Sequence, residues 1–487
     1  MPAAERQFRP LIGGKWASGD VTEAAMSPSS GRHFADVVLG DANTVDEAVT
    51  SAKGALPDWS RASPFERAAV LRDAAGAVTA RREELARLLT EDQGKPLGEA
   101  FDEVDELAVY LIMAGEDAKR LEGSMPPSVS AGRRVLESRL ALGVIGVITP
   151  WNWPFTMGAE IFAPALAAGN TVVWVPAPTT SACSGLLAEL LSQTSLPPGV
   201  FNFVPGKGPV VGDALAGHKD VAGIGFIGSV ATGQVVSARA AGKAQLLELG
   251  GNGPMVVLDD ADLALAAEAS LEAAYLCAGQ SCTAGERFLV HEAVAKEFVE
   301  RVVALTEEGI RLGDPFDPAT TMGPLNNEPT AAKFDRHLAD ALSRGARCCA
   351  GGRRSTAFPT NLYAEATVLD QVGPEMEIAL EETFGPVVPV MTVSSAQHAL
   401  DLTNSSPFGL TAAVFTEDLE KGLAFAEAAR TGWVNINAST NLWESHLAFG
   451  GRAGSISGRG RVGGRNVLEA FSEQKTILLP APRLKGR

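Results

Sequence analysis

One cysteine in this sequence stands in a setting that suits a reactive thiol as well as a buried one. Cys282 lies in the stretch GQSCTAGERFLV, among small residues and between a glutamine and an arginine. A cysteine thiolate is a strong nucleophile, but it needs a general base or a lowered pKa. Arg287 is the only basic residue of that stretch. The stretch alone therefore leaves an inert cysteine and a nucleophile equally open.

A glutamate in an apolar strand is the second candidate for chemistry. Glu248 lies between Leu247 and Leu249 in the stretch LELGGNGP. Apolar neighbours disfavour an ionised carboxyl, which raises its pKa toward that of a useful general base. The alternative is an exposed glutamate at the end of the strand, with no catalytic role.

An asparagine held between prolines and tryptophans is the third candidate. Asn152 lies in PWNWPF, residues 150–155, where the prolines restrict the backbone. A rigid turn of this kind can present an amide side chain as a donor to a developing oxyanion. A turn asparagine with aromatic packing fits the same pattern.

Two stretches that contain glycine bear on nucleotide binding. GIGFIG, residues 223–228, has the letters of the dinucleotide fingerprint, but that fingerprint needs its first glycine in the turn after a strand. Here the glycines lie within an apolar run, which indicates a tightly packed strand. GSVATGQVV, residues 228–236, fits better, because Gly228 and Ser229 end the strand where a helix begins. The free N–H groups and positive dipole end of that helix would suit a pyrophosphate.

Alternating strands and helices must position these residues. Apolar strands alternate with helices from residue 143 to residue 229, which predicts parallel βαβ units covered on both faces. A helical region precedes them at about residues 44–121, and a second alternating block runs from about Gly250 to residue 450. The tail after Phe449 is rich in Gly and Arg and ends in the β-like run KTILL. Because KTILL is too apolar to leave in solvent, we expect it to form a strand that pairs outside its own domain.

Composition and charge limit the classes of function. The 487 residues suggest about two to four domains, and the net charge is −17. An acidic surface repels phosphate backbones and anionic lipid, and no apolar run is long enough to span a bilayer, so neither nucleic acid nor membrane is an expected partner. The five cysteines contain no CxxC pair and the six histidines are scattered, so no metal site is predicted. We expect a cytoplasmic enzyme.

Seven motifs in one order carry a resemblance to a known family. They run from PWNWPF through PALAAGNTVV, FIGSVATG, LELGG, GQSCTAGER and EETFGPV to FGG followed by SGRGR. In this combination the chain resembles the aldehyde dehydrogenase superfamily, of the NAD(P)-dependent, non-acylating type, over nearly its whole length. The resemblance implies an α/β fold with a parallel-sheet cofactor domain, an α/β catalytic domain and a small β oligomerisation arm. The implied bounds are 1–122 and 142–247 for the cofactor domain, 248–450 for the catalytic domain, and 123–141 with 451–487 for the arm.

The resemblance also implies the reaction and the residues that perform it. Cys282 would attack the aldehyde carbon to give a thiohemiacetal, hydride would pass to NAD(P), and Glu248 would activate water to hydrolyse the thioester. Asn152 and the backbone N–H of Cys282 would form the oxyanion hole, where each fixed donor is worth on the order of 10²–10³ in rate. The partners would be a small-molecule aldehyde and further copies of the chain, in a homodimer or homotetramer.

A larger set of residues matches the cofactor-binding positions of the family. They are Thr149, Pro150, Trp151, Val175, Gly208, Gly212, Gly228, Ser229, Gly233, Leu249, Glu382 and Phe384. The expected cofactor is NAD, with NADP as the alternative.

Three positions depart from the family pattern. Val175 stands where relatives usually carry a lysine that bonds the adenosine ribose or a 2′-phosphate, and Pro178 stands where many NAD-preferring members carry an acid. Because a desolvated dianionic phosphate needs cations, and Lys207 is expected to be a solvated loop lysine, the pattern favours NAD. Ile161 stands where relatives often have a lysine that assists proton relay. Water activation would then depend on Glu248 and backbone groups.

The substrate tunnel of the family matches four positions, of which three are aromatic: Trp153, Thr156, Trp443 and Phe449. Aromatic walls suggest an apolar or aromatic aldehyde, whereas Glu160 and His446, if they lie nearby, would favour a polar or cationic one. No arginine stands at a tunnel position that would mark a carboxylate-bearing semialdehyde.

Three other functions fit the sequence less well. A CoA-acylating dehydrogenase would usually lack the base glutamate, and Glu248 is present. A catalytically silent member of the fold would not need Cys282, Glu248 and Asn152 together. A cysteine amidase or acyltransferase would need a histidine near the thiol, and none is evident in the sequence around it.

Overall fold

The computed structural model describes residues 6–480, which form an α/β architecture with four β-sheets. The strands are β1 (Gln7–Phe8), β2 (Leu11–Ile12), β3 (Lys15–Trp16), β4 (Thr22–Met26), β5 (His33–Val38), β6 (Arg134–Ala141), β7 (Val144–Ile148), β8 (Thr171–Val175), β9 (Phe201–Phe203), β10 (Val221–Gly228), β11 (Ala244–Leu249), β12 (Gly253–Val257), β13 (Gly285–His291), β14 (Arg347–Ala350), β15 (Thr367–Asp370), β16 (Val387–Val393), β17 (Thr411–Phe415), β18 (Trp433–Ile436), β19 (Gly458–Arg459) and β20 (Ser472–Leu479). The helices are α1 (Ala42–Arg61), α2 (Pro64–Ala80), α3 (Arg82–Gln93), α4 (Leu97–Ala118), α5 (Pro154–Ala167), α6 (Ser181–Ser192), α7 (Asp213–Gly217), α8 (Val230–Arg239), α9 (Leu263–Tyr275), α10 (Ala295–Gly309), α11 (Glu328–Ser343), α12 (Glu377–Leu380), α13 (Ala396–Ser405), α14 (Leu419–Ala428) and α15 (Asn466–Ala470). The outer ends of the predicted segments 1–122 and 451–487, namely 1–5 and 481–487, lie outside the described residues.

An eight-stranded sheet has a parallel centre, in the order β11-β10-β7-β8-β9, and antiparallel strands at both edges. Strands β7 and β8 are buried along their whole length, because separate apolar clusters cover the two faces of the sheet. This is the burial that a parallel sheet requires. The GIGFIG stretch lies wholly within β10, so its interpretation as a packed strand is confirmed.

A seven-stranded sheet, in the order β14-β15-β16-β13-β12-β17-β18, is parallel except at β14. The chain leaves the first sheet at the end of β11 and enters the second at β12, only a few residues later. Glu248 lies in β11 and Cys282 lies just before β13. The two sheets therefore bring these residues to the boundary between them.

Helix α4 packs between α2 and α5. Helix α5 has Pro154 in its first turn, where the missing N–H is not needed, and Gly169 follows its end with a left-handed φ of 95°. The helix ends at Ala167, two residues before Gly169. The pair α4 and α5 forms one wall of the site described below.

The run KTILL lies in β20, which pairs with β6 in an antiparallel ladder from Ser472 opposite Ala141 to Leu479 opposite Arg134. These two strands form a sheet of their own. Most side chains of β20 are exposed. The strand therefore pairs with the segment 123–141, away from both large sheets.

None of the helices within residues 6–480 combines the length and the apolar character needed to cross a bilayer.

Candidate active site

Two cavities meet inside the protein where the sequence-predicted residues converge. The first, of about 240 Å³, is bounded by α4, α5 and the segment 441–449, and is called here the α4–α5 cavity. The second, of about 190 Å³, is bounded by the starts of α8 and α11, and is called the α8–α11 cavity. Met157, Glu248 and Cys282 line both. The thiol and the carboxyl therefore stand at the junction.

The loop before Cys282 has an unusual backbone. Cys277 and Ala278 adopt left-handed conformations, with φ of 51° and 55°. Gly279 follows with φ of +74°, and a Cβ there would lie 2.3 Å from the carbonyl oxygen of Gly385, so only glycine fits. Left-handed residues other than glycine cost free energy and persist only where the surrounding structure holds them.

Helix α4 and a buried glutamine hold this loop. The carboxylate oxygens of Glu99 accept from the backbone N–H of Cys277 at 3.1 and 3.3 Å. The side chain of Gln280 donates from Nε2 to the carbonyl of Cys277 at 2.8 Å, and its Oε1 accepts from the N–H of Asn326 at 2.8 Å. These bonds fix the approach of the chain to Cys282.

Burial raises the pKa values of both groups at the junction. The pKa of the Cys282 thiol is held well above its usual value by burial and, next, by the negative charges of Glu248 and Glu382. Burial raises the pKa of Glu248 to about 8. Its Oε1 is buried with no hydrogen-bond partner among the described residues. A carboxyl with this pKa exchanges a proton near neutral pH, as a general base must.

The turn that presents Asn152 is anchored by a second carboxylate of α4. Oε1 of Glu103 accepts from the N–H of Phe155 at 2.8 Å and from that of Thr156 at 3.4 Å, in the first turn of α5. Asn152 donates from Nδ2 to the carbonyl of Gln280 at 3.0 Å, which ties the turn to the cysteine loop. Its Oδ1 is buried and has no partner within residues 6–480.

A buried lysine completes the support of this turn. Lys95 is fully buried, and its Nζ lies 2.7 Å from a carboxylate oxygen of Glu103. The same Nζ lies 3.4 Å from the ring centre of Trp153, which is a cation–π contact. Because both charges are removed from water, the loss of either partner would leave an unpaired buried charge.

The sequence profile of the aldehyde dehydrogenase family matches residues 16–477 of this chain. This chain belongs to the aldehyde dehydrogenase family. The α/β fold class and the oxidation of an aldehyde, both predicted from the motifs, are thereby confirmed.

Three related proteins each cover nearly the whole chain. The 3-sulfolactaldehyde dehydrogenase of Pseudomonas putida is 36% identical over 473 residues, which are 96% of each chain. The succinate-semialdehyde dehydrogenase [NADP(+)] of Escherichia coli K12 is 35% identical, over 96% of this chain and 97% of that one. The crystal structure of betaine aldehyde dehydrogenase from Staphylococcus aureus in complex with NAD+ superposes with a TM-score of 0.94 at 32% identity, over 99% of this chain and 97% of that one.

Half of the cofactor residues predicted for this aldehyde dehydrogenase line the α8–α11 cavity. They are Pro150, Trp151, Gly228, Ser229, Glu382 and Phe384. Trp151 and Phe384 meet edge to face with ring centres 5.5 Å apart. Glu382 accepts from the N–H of Gly251 at 2.8 Å, and Ser229 caps α8. The structure thus brings these residues together beside Cys282 and Asn152.

The other predicted cofactor residues line neither cavity. They are Thr149, Val175, Gly208, Gly212, Gly233 and Leu249. Val175 is 1% exposed and packs in an apolar cluster, so its side chain offers nothing to a ribose. Gly233 lets α8 approach β11, because a Cβ there would lie 2.3 Å from Cδ2 of Leu249.

Sequence reasoning missed the cation of the α8–α11 cavity. Lys333 of α11 lines the cavity, with its Nζ 5.7 Å from the ring centre of Phe384. It stands in the stretch TAAKFDRH, which contains no motif. Only the amphipathic spacing of α11, with Thr330 and Phe334 buried on the same side, could have indicated it.

All four residues predicted for the substrate tunnel line the α4–α5 cavity: Trp153, Thr156, Trp443 and Phe449. Three carboxylates besides Glu248 line this cavity, and the sequence had indicated only Glu160 among them. Asp102 and Glu106 come from α4, far from every motif. Their spacing of four residues on one helix was the signal that could have found them.

Two residues near the substrate side face elsewhere. Ile161 is buried against the eight-stranded sheet, where a Cβ on Gly225 would lie 2.4 Å from its Cγ2. It is therefore the preceding Glu160, and not Ile161, that lines the cavity. His446 is exposed and lies 3.4 Å from Glu444, and it lines neither cavity.

Proposed function

We propose that Cys282 is the nucleophile and Glu248 the general base of an NAD(P)-dependent oxidation of an aldehyde to its carboxylic acid. The observation that carries this proposal is the junction of the two cavities, at which both side chains lie. The α4–α5 cavity holds the aldehyde, and the α8–α11 cavity holds the nicotinamide end of the cofactor. The thiol could then reach the carbonyl carbon, and a cofactor bound in the second cavity would supply the hydride acceptor.

Covalent catalysis on sulfur divides the reaction into two steps. Cys282 first loses its thiol proton to solvent, and the thiolate then forms a C–S bond to the carbonyl carbon while the negative charge moves to the oxygen. Loss of hydride from the same carbon gives a thioester. Glu248 then takes a proton from water, which attacks the thioester and releases the carboxylic acid and the thiol. Because Glu248 activates water, no CoA thiol is needed, in keeping with a non-acylating enzyme.

Asn152 is the proposed side-chain donor to the oxyanion. One N–H of its Nδ2 is used by the carbonyl of Gln280, and the amide carries a second. A donor held by buried contacts needs no reorganisation when charge develops, and its loss typically costs about 10²–10³ in kcat. The backbone N–H of Cys282 is the proposed second donor.

The residues of the α8–α11 cavity fit a nicotinamide cofactor. The aromatic pair Trp151 and Phe384 can flank a planar ring, and Glu382 and Lys333 can accept from and donate to ribose hydroxyls. The N-terminus of the ten-residue α8 borders the cavity at Ser229, where free N–H groups suit a phosphate. NAD(P)+ supplies the hydride acceptor when it is bound. The prediction of NAD(P) as cofactor is confirmed by the related enzymes described above.

We propose that NAD is preferred to NADP. The side chain of Val175 is buried in the apolar core, and Pro178 has no charge, so neither can bind a 2′-phosphate. Lys207 is exposed and lines neither cavity. A dianionic phosphate needs cations to offset its loss of water.

Segments 123–141 and 451–487 are proposed to form the oligomerisation arm of a homodimer or homotetramer, apart from a cofactor domain (1–122 and 142–247) and a catalytic domain (248–450). Within residues 6–480, β6 pairs with β20 and is also bridged by Ser124 at Glu137, whereas β20 pairs with β6 alone and has one open edge. Open, partly apolar edges are usually covered by another chain. We also propose a cytoplasmic location, which the five free cysteines support.

The test is the absorbance of reduced nicotinamide during incubation with a panel of aldehydes and with NAD+ or NADP+. We expect reduction with NAD+ and at least one aldehyde, without CoA, and a lower kcat/KM with NADP+. A strict requirement for CoA would overturn the hydrolytic step. No reduction with any aldehyde or either cofactor would overturn the proposal as a whole.

A further inference from the structure

The α4–α5 cavity carries an excess of negative charge. Asp102, Glu106 and Glu160 line it together with Glu248, and none of its described lining residues is a lysine, arginine or histidine. Asp102 is exposed, Glu106 is half-buried and Glu160 is 2% exposed. The three carboxylates thus run from the mouth of the cavity toward its interior.

Two helices arrange these groups. Asp102, Glu106 and Tyr110 recur every four residues on α4, so they share one face of the helix. The hydroxyl of Tyr110 lies 3.5 Å from Oε1 of Glu160, which projects from α5. This long contact is the only hydrogen bond of the Glu160 side chain within residues 6–480, so its Oε2 has no partner there. A carboxylate that is nine-tenths buried in a cavity wall and nearly unpartnered is costly unless a donor or cation joins it.

The acidic side chains are only partly offset by a positive charge behind the wall, because Lys95 lowers the pKa of Glu106 less than burial and Glu103 raise it. Lys95 lies over the ring of Trp153, but its Nζ is paired with Glu103. Burial, and then the charges of Glu248 and Glu106, hold the pKa of Glu160 well above its usual range. Burial and the charge of Glu103 raise the pKa of Glu106 to about 7. A cation in the cavity would relieve both effects.

The rest of the wall suits an organic cation. Trp153, Trp443 and Phe449 line the same cavity, and the last two pack with ring centres 5.3 Å apart. Aromatic faces attract ammonium groups as well as apolar chains. No group of three or more His, Cys, Asp or Glu side chains in the described part of the chain is arranged to hold a metal ion. The cavity therefore offers a place to a charged carbon chain rather than to a bare cation.

We infer that the α4–α5 cavity selects aldehydes that carry an ammonium group, with the carbonyl at Cys282 and the cationic end between Glu160, Glu106 and the aromatic rings. This inference rests on the proposed function, because it takes this cavity as the aldehyde side of the junction. An aldehyde with a distal carboxylate or sulfonate would meet acidic side chains there and no cationic side chain among the described lining residues. A neutral aldehyde would leave the carboxylates without a partner.

The experiment compares matched aldehydes at saturating NAD+. The probes are β-aminopropionaldehyde and its neutral isostere butanal, betaine aldehyde and its neutral isostere tert-butylacetaldehyde, and the anionic succinate semialdehyde. We expect kcat/KM for the cationic member of at least one pair to exceed that of its isostere by about tenfold or more, which corresponds to about 1.4 kcal/mol. We expect succinate semialdehyde to be slower than butanal.

Charge-removing variants identify the groups responsible. Glu160→Gln and Glu106→Gln should each lower the cationic-to-neutral ratio of kcat/KM several-fold toward one. Asp105→Asn is the matched control, since Asp105 lies on the same helix but pairs with Arg82 on the outside, and it should leave the ratio unchanged. Glu106 is half-buried, so its variant remains informative if the buried Glu160 variant folds poorly.

The outcomes separate the two proposals. Oxidation of neutral aldehydes without a preference for either cationic probe would overturn the inference and leave the proposed function intact. Preference for succinate semialdehyde, or a ratio unaffected by both glutamine variants, would also overturn it. If none of the aldehydes is oxidised, the proposed function itself is overturned.

Discussion

The carboxyl of Glu248 and the thiol of Cys282 lie together where the α4–α5 and α8–α11 cavities join. Each group is largely withdrawn from water, and the charge of Glu248 further raises the pKa of the thiol. Two acidic groups that both hold their protons near neutral pH can each act only after losing one.

Replacement of Cys282 by alanine should abolish NAD(P)H formation, with a loss of at least about 10³-fold, because no other group can form the covalent intermediate. The matched control is Cys277→Ser, five residues earlier. The sulfur of Cys277 accepts a hydrogen bond from Gln93 at 3.4 Å, which a serine hydroxyl can also accept. Steady-state rates of both variants are compared with wild type. Loss of activity in the Cys277 variant alone would show that the nucleophile has been misassigned.

Glu248→Gln should separate hydride transfer from hydrolysis. The amide cannot accept the proton of water, so we expect a burst of about one NAD(P)H per active site, followed by little turnover. Rapid mixing with absorbance detection measures the burst, and trapping of the thioester by mass spectrometry identifies it on Cys282. Wild-type steady-state turnover in this variant would contradict the role of Glu248.

The activity of the wild-type enzyme should rise with pH. Glu248 acts as a base only when ionised, and burial raises its pKa from the ordinary value of 4.5 to about 8. Below that pH the protonated form dominates, so kcat should increase as the pH rises from 6 through 8, and ionisation of the Cys282 thiol, whose pKa lies higher, should continue the rise. The measurement is a kcat profile at saturating substrate, in which residual activity of Glu248→Gln should lack the step. A flat wild-type profile over this range would argue against a single rate-limiting base.

Lys95→Met should destabilise the protein strongly. It leaves the buried carboxylate of Glu103 unpaired, which typically costs about 3–5 kcal/mol of the free energy of unfolding. Arg82→Met is the matched control, because Arg82 pairs with Asp105 at the surface, where the expected cost is about 1 kcal/mol or less. Urea denaturation measures both. Equal losses of unfolding free energy in the two variants would mean that the buried pair contributes no more than the surface pair. Partial recovery of stability in the double variant Lys95→Met, Glu103→Leu would support the cost of an unpaired buried charge.

A charge on the open edge of the arm should disrupt assembly. Leu478 of β20 is 62% exposed and adjoins the open edge of the two-stranded sheet. Leu478→Lys should shift the particle toward the monomer in size-exclusion chromatography with light scattering. Leu419→Lys is the control, since Leu419 is 65% exposed on α14, away from the arm. A wild-type mass for the Leu478 variant would place the interface elsewhere.

The sequence predicted the central βαβ elements because their strands are continuously apolar and end at glycine or proline. It also indicated Cys282, Glu248 and Asn152, because each stands in a motif whose neighbouring residues restrict its backbone or its exposure to solvent. The structure brings these three to one point, although they belong to different elements.

The carboxylates Asp102 and Glu106 could not be found in the same way. They project from a helix whose sequence resembles any solvated helix, and only the packing of α4 on α5 turns that face into a cavity wall. Val175 shows the converse, since it stands among the predicted cofactor-binding positions whereas tertiary packing buries it. Which side of an element faces a cavity depends on neighbours remote in the chain.

Glu99 and Glu103 stand four residues apart on α4, and they hold the cysteine loop and the asparagine turn respectively. The spacing of these two glutamates along one helix therefore helps to set the distance between Cys282 and Asn152. Inserting a single residue between these glutamates would rotate one of them by about 100° around the helix axis. The insertion would break the contacts of one glutamate with its loop or turn, although no reacting group would be changed. The number of residues between Glu99 and Glu103 is thus a requirement of the site that no reacting group reveals.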